Sequence, residues 1–139
     1  MIAYFDTSSI VPLLIEEPGS ETAGRLWDEA DRLVSIRLVY AEGHAALAQA
    51  ARGQRLDPRH LRRAVSDLLS LYEQLDLVEV TDVLVRRSGA LAETHALRGY
   101  DAIHLAAAEF VQDNELVFVS GDAKLCQAAT DLGLNVART

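Results

Sequence analysis

The 139-residue sequence predicts a single α/β domain whose mostly parallel sheet is covered by helices on both faces. Two observations predict it. Short apolar runs alternate with longer stretches in which apolar residues recur every three or four positions, the order expected when parallel strands are joined by helical crossovers. Four carboxylates, Asp6, Glu42, Asp101 and Asp122, sit in apolar or small-residue context at junctions between such elements. In open sheets of this kind, ligands bind outside the carboxyl ends of the strands.

Residues 2–6 (IAYFD) read as a buried strand. Thr7, Ser8 or Ser9 can cap a helix running to about Glu16, with Pro12 tolerable in its first turn, and Pro18-Gly19 ends it. Ser20 opens a helix to about Ala30 with Ala23, Leu26, Trp27 and Ala30 inward. RLVSI (32–36) is a strand, and an alanine-rich helix follows from Leu38 to Arg52, stopped by Gly53. Asp57-Pro58 supplies an N-cap and a proline at the first helical position. The helix after it is expected to bury Leu61, Val65, Leu68, Leu69, Tyr72 and Leu75. LVEV (77–80) is a strand, helices follow over roughly 82–97 and 101–113, and LVFVS (116–120) is a buried strand. Asp122–Leu132 is helical, Gly133 stops it, and LNVA (134–137) forms a last edge strand.

This length suffices for one core without staples, and half of the residues are apolar, which excludes disorder. The single Cys126 excludes an internal disulfide and cannot make a zinc site alone; it reads as a small core hydrophobe. Asp6 interrupts the apolar start, which is not a signal peptide, and no run approaches the ~20 residues needed to cross a bilayer. A soluble, cytoplasmic protein without membrane attachment is expected. The net charge of −8 argues against non-specific nucleic-acid binding by the whole surface but leaves room for a local basic patch.

Taken singly, Asp6, Asp101 and Asp122 can be helix-start acids stabilised by the backbone N–H groups and the helix dipole. Glu42 is harder to explain so, because Val39, Ala45, Ala46 and Gln49 share its face. Jointly the four imply more. Carboxylates ~4 Å apart repel by about 4 kcal/mol per pair at an effective dielectric near 20, so a cluster of them implies shared protons or divalent cations. A site of oxygen ligands suits Mg²⁺ or Mn²⁺. His104, three residues after Asp101, reads first as a core histidine that could approach the site. Lys124 reads as a solvated side chain that could touch a phosphate. Thr7, Ser8 and Ser120 can orient carboxylates or serve simply as caps. Arg52, Arg55, Arg59, Arg62 and Arg63 form a basic segment, read either as an RNA contact or as a solvated link. Leu13, Leu14, Trp27 and Leu71 are apolar beyond what one small core obviously needs, and suggest an interface.

With these residues in place, the chain resembles the PIN-domain family, specifically the VapC-like ribonuclease toxins of toxin–antitoxin pairs. FDTSSIVPLLIEEPGSE matches the family's start and carries Asp6. SIRLVYAE brings Glu42, GYDAIHLAAA is the most specific match and brings Asp101, and VSGDAKL brings Ser120 and Asp122. The resemblance runs from Ile2 to about Val136 and departs in lacking the additional acid that some members carry near the last motif. It implies a five-stranded sheet ordered 3-2-1-4-5 and cleavage of RNA with one or two Mg²⁺ or Mn²⁺ ions on the four acids. One ion would sit mainly on Asp6, Asp101 and Asp122 and orient a water for in-line attack; a second, shared through Asp6 and Glu42, would stabilise the leaving oxygen. A homodimer and a small cognate antitoxin are implied as well. The alternative is a catalytically silent PIN-fold protein that binds RNA or a partner without cutting.

Overall fold

The computed structural model describes residues 1–139. In chain order the elements are β1 (Ile2–Phe5), α1 (Thr7–Ile10), a 3₁₀ turn (Val11–Leu13), α2 (Ser20–Glu29), β2 (Arg32–Ile36), α3 (Val39–Arg52) and α4 (Pro58–Gln74). There follow β3 (Asp76–Val78), α5 (Asp82–His95), α6 (Gly99–Phe110), β4 (Leu116–Ser120), α7 (Ala123–Asp131) and β5 (Asn135–Arg138). The five strands form one sheet in the order β3-β2-β1-β4-β5, and every neighbouring pair is parallel. Tyr4 lies between Val34 and Phe118 in register.

That order decides where a site can form. The chain winds outward from β1 through β2 to β3, then returns to the other side of β1 with β4 and β5. The winding therefore reverses between β1 and β4, and the crevice at the carboxyl ends of those strands is the ligand position of doubly wound sheets. Asp6 follows β1 directly, and its backbone N–H donates to Val119 O of β4 at 3.1 Å. Ser120 ends β4.

Alternation along the strands divides the apolar residues between two layers. Ala3, Phe5 and Val119 pack with Ile10, Leu26, Leu47 and Leu68 on one face. Tyr4, Val34, Ile36 and Phe118 pack with Leu84, Leu91, Leu105 and Leu125 on the other. Trp27 meets Phe5 edge-on, with ring centroids 5.2 Å apart. Leu13, Leu14, Trp27 and Leu71 are all partly buried against the first of these layers, so each spends part of its apolar surface in the core.

Several boundaries differ from the sequence reading. The first helix stops at Ile10 and tightens into the 3₁₀ turn, because Pro12 lacks the N–H that would continue the α-helical ladder. Strand β3 begins at Asp76 and ends at Val78 rather than spanning 77–80; it pairs with β2 alone, and Glu79 and Val80 lie beyond the paired residues. Leu69 is 46 % exposed where burial was expected. It lies one residue, about 100° around the helix, from the fully buried Leu68, outside the stripe of Ala64, Leu68 and Leu75. Helix α6 starts at Gly99, which places Asp101 within its first turn, and β5 is shifted one residue later than predicted. The Asp57 cap is as expected: its Oδ1 accepts from His60 N–H at 2.7 Å.

Candidate active site

Asp6 is the centre of the site. It occupies the N-cap position of α1 without capping it, so its carboxylate is free for side-chain partners. Ser8 Oγ donates to Oδ1 at 2.6 Å, and Ser120 Oγ donates to Oδ2 at 3.1 Å. Both hydroxyls are aimed by the backbone after β4: Gly121 N–H donates to Ser8 Oγ at 2.8 Å, and Asp122 N–H to Ser120 Oγ at 3.1 Å. Asp6 is 4 % exposed. Burial pushes its pKa up to about 6, opposed by the charge of His104 and the two hydroxyl bonds and reinforced by the neighbouring negative charge of Asp101. An anion is being held here against its desolvation penalty.

Glu42 comes from the first turn of α3. Thr7 Oγ1 donates to its Oε1 at 3.1 Å, and His104 Nε2 lies 2.7 Å from the same oxygen. Burial alone would push the His104 imidazole down. The hydrogen bond to Glu42 and the charges of Asp6, Glu42 and Asp101 outweigh it, and the pKa lies above the ordinary histidine value.

Asp101 and Asp122 line one cleft of about 210 Å³ together with Leu97, Arg98 and Lys124. Arg98 Nε donates to Asp101 Oδ2 at 3.1 Å, and this bond raises the guanidinium's pKa further. Asp122 caps α7, its Oδ1 accepting from Leu125 N–H at 3.0 Å. The helix-start role read from the sequence therefore holds for Asp122 as an N-cap and for Asp101 as a first-turn acid, whereas Asp6 stands at a helix start without capping it.

The structure thus gathers the four acids at one end of the sheet but gives each its own protein partner. No three His, Cys, Asp or Glu side chains are grouped closely enough to hold a metal ion. In chemistry the set still suits a hard divalent cation: the donors are carboxylate and hydroxyl oxygens, and the most buried of them lacks a cationic hydrogen-bond partner. The predicted Thr7, Ser8 and Ser120 are all in direct contact with these carboxylates. Lys124 is in the cleft.

The basic segment is elsewhere. Arg52 lies ten residues along α3 from Glu42, about 15 Å at the helical rise. Arg55 pairs with Glu17 at 3.3 Å and Arg63 with Asp67 at 3.3 Å; both line a groove with Leu14 and Ile15. Two contributors were missed in the sequence. Arg98 carried a usable signal, a cation three residues before an acid at a helix start. Tyr4 carried none, because an aromatic in a buried strand reads as core.

The sequence profile of the PIN domain matches residues 3–131. The chain belongs to the PIN-domain family. Among its PIN relatives, Ribonuclease VapC45 of Mycobacterium tuberculosis (strain CDC 1551 / Oshkosh) is 43 % identical over 136 residues, covering 98 % of this chain and 94 % of the relative. Ribonuclease VapC49 of Mycobacterium tuberculosis (strain ATCC 25618 / H37Rv) matches with the same figures, and the chain is VapC-like. The fold agrees with the crystal structure of Mycobacterium tuberculosis VapC20, with a TM-score of 0.72 at 18 % identity over 99 % of both chains. It also agrees with PAE2754 from Pyrobaculum aerophilum, with a TM-score of 0.70 at 21 % identity over 98 % of this chain and 83 % of that one. No helix is long and apolar enough to cross a membrane.

Proposed function

We propose that this PIN-domain protein is a Mg²⁺- or Mn²⁺-dependent endoribonuclease, the toxin of a toxin–antitoxin pair. One observation carries the reading: a buried carboxylate, Asp6, kept at the switch point of the sheet with its pKa pushed up to about 6 and with Glu42, Asp101 and Asp122 around it. A perturbed acid in such surroundings is a functional-site signature, and relatives 43 % identical over nearly the whole chain are named ribonucleases.

Asp6, Asp101 and Asp122, with Glu42, would hold the cation. When bound, it supplies counter-charge to the acids and to an RNA phosphate, and Lewis acidity at the reacting phosphorus. Ser8 and Ser120 fix both oxygens of Asp6. Thr7 and His104 fix one oxygen of Glu42. Arg98 neutralises Asp101 in the resting protein, and Lys124 is placed to meet a backbone phosphate at the cleft. A small antitoxin as inhibitor, a homodimer and a cytoplasmic location complete the proposal; neighbours of this fold include VapBC-5 of Mycobacterium tuberculosis, a member of the VapBC family of toxin-antitoxin systems.

A catalytically silent PIN-fold binder is the competing reading, favoured by the separate partners of the four acids. One experiment separates the two. Purified protein should cleave RNA with Mg²⁺ or Mn²⁺, stop with EDTA, and lose at least a hundredfold in rate as Asp6→Asn or Asp101→Asn while remaining folded. Cleavage that survives EDTA or these substitutions would refute the metal-dependent assignment, and no cleavage by the wild type under any of these conditions would leave the binder.

A further inference from the structure

His104 is 2 % exposed, yet neither ring nitrogen is spent on the backbone. Nδ1 lies 2.9 Å from Tyr4 Oη and Nε2 lies 2.7 Å from Glu42 Oε1, with Thr7 Oγ1 3.3 Å from the same nitrogen. A carboxylate only accepts, so Nε2 carries its hydrogen. With a neutral ring, Nδ1 then accepts from the Tyr4 hydroxyl; with a charged ring it donates to it. Glu42 is gripped in both states. The Thr7 hydroxyl donates to that same Oε1 at 3.1 Å, and neither donor uses Oε2.

The anchor is rigid. Tyr4 is fully buried in the middle of the sheet, stacked on Phe118 with centroids 5.5 Å apart, and meets the imidazole edge-on at 5.9 Å. The surrounding layer is apolar, formed by Leu105, Ala106, Leu84 and Phe118. A phenylalanine and a leucine would fill these two positions without the penalty of burying polar groups. What the polar pair adds is a fixed direction for Glu42, a side chain with three rotatable bonds on a helix end.

We infer that His104, braced by Tyr4, is a positioning residue that pins Glu42 through Oε1 and so leaves Oε2 as the oxygen offered to a divalent cation. This rests on the metal-dependent reading above. Partners of this kind commonly change metal affinity by about 10- to 100-fold.

The test is Mn²⁺ titration of RNA-free protein by calorimetry, alongside thermal unfolding, for wild type, His104→Leu and His104→Gln, both variants made in a Tyr4→Phe background so that no buried hydroxyl loses its partner. Gln returns an N–H near the position of Nε2, whereas Leu suits the apolar layer better. Positioning therefore predicts opposite rank orders: Mn²⁺ affinity falls about tenfold or more in His104→Leu and recovers in His104→Gln, while thermal stability is no lower in His104→Leu than in His104→Gln. Affinity that merely tracks stability, or that is unchanged in His104→Leu, overturns the inference. Should His104→Leu not fold, ¹⁵N NMR of the wild type in EDTA decides, since an Nε2 without hydrogen is incompatible with the grip on Glu42. Wild-type protein that binds no Mn²⁺ would instead overturn the metal reading itself, so the two failures are distinct.

Discussion

At the scale of single residues, Asp6 concentrates the tension between stability and function. Its folded pKa of about 6 lies above the ordinary aspartate value near 3.9. Between those limits the folded state binds the proton more tightly than the unfolded chain, so stability falls as pH rises through the window and does not return above it. The difference corresponds to on the order of 3 kcal/mol. In metal-free protein, urea unfolding from pH 4 to 7 should therefore show a decline in the wild type that is largely absent in Asp6→Asn. Equal slopes would mean that Asp6 titrates normally and is not a strained anion. The motif around Asp6 was legible in the sequence, as were Ser120 and Asp122 in VSGDAKL. Which carboxylate each partner meets was not: Ser120 reaches Asp6 across 114 positions and His104 reaches Glu42 across 62, and only the sheet order brings them together. His104 read as core for a sound reason, since its neighbours Leu105 and Ala106 are core.

At the scale of elements, strand and helix identity followed from periodicity and punctuation, and errors arose where one residue competes with the pattern. Pro12 shortened α1, and Leu69 fell just off the buried stripe of α4. The contact between α3 and α4 at Gly43 was invisible to periodicity. A Cβ placed there would lie 3.0 Å from Leu68 Cδ1, so the tip of Leu68 packs directly against the α3 backbone beside Glu42. Leu68 is 1 % exposed, and its removal leaves a void against Gly43. Leu68→Ala should lower unfolding free energy by about 2–5 kcal/mol in chemical denaturation, whereas Leu69→Ala, on the exposed side, should change it by within about 0.5 kcal/mol. Equal losses would mean that the two leucines share the core after all.

At the scale of the whole molecule, the net charge of −8 means that the proposed action on RNA requires attraction confined to a few places. Two are available. One is the cleft, where Arg98 and Lys124 stand beside Asp101 and Asp122. The other is the start of α4, where Arg59 and Arg62 are exposed while Arg55 and Arg63 are already paired with acids. Under the proposed function the cleft is the better anchor, because a phosphate bound there would lie next to Asp101 and Asp122, and an occupied cation site would release Arg98 from Asp101 for the backbone. Each lost phosphate contact on single-stranded RNA flattens the log–log salt dependence of affinity by roughly 0.7. In an Asp6→Asn background that prevents cutting, Arg98→Gln with Lys124→Ala should therefore lower the slope by about 1.4, and Arg59→Ala with Arg62→Ala should leave it unchanged. The reverse result would place the RNA along α4, with the strand crossing to the acids from the basic segment, and would reduce Arg98 to the counter-ion of Asp101.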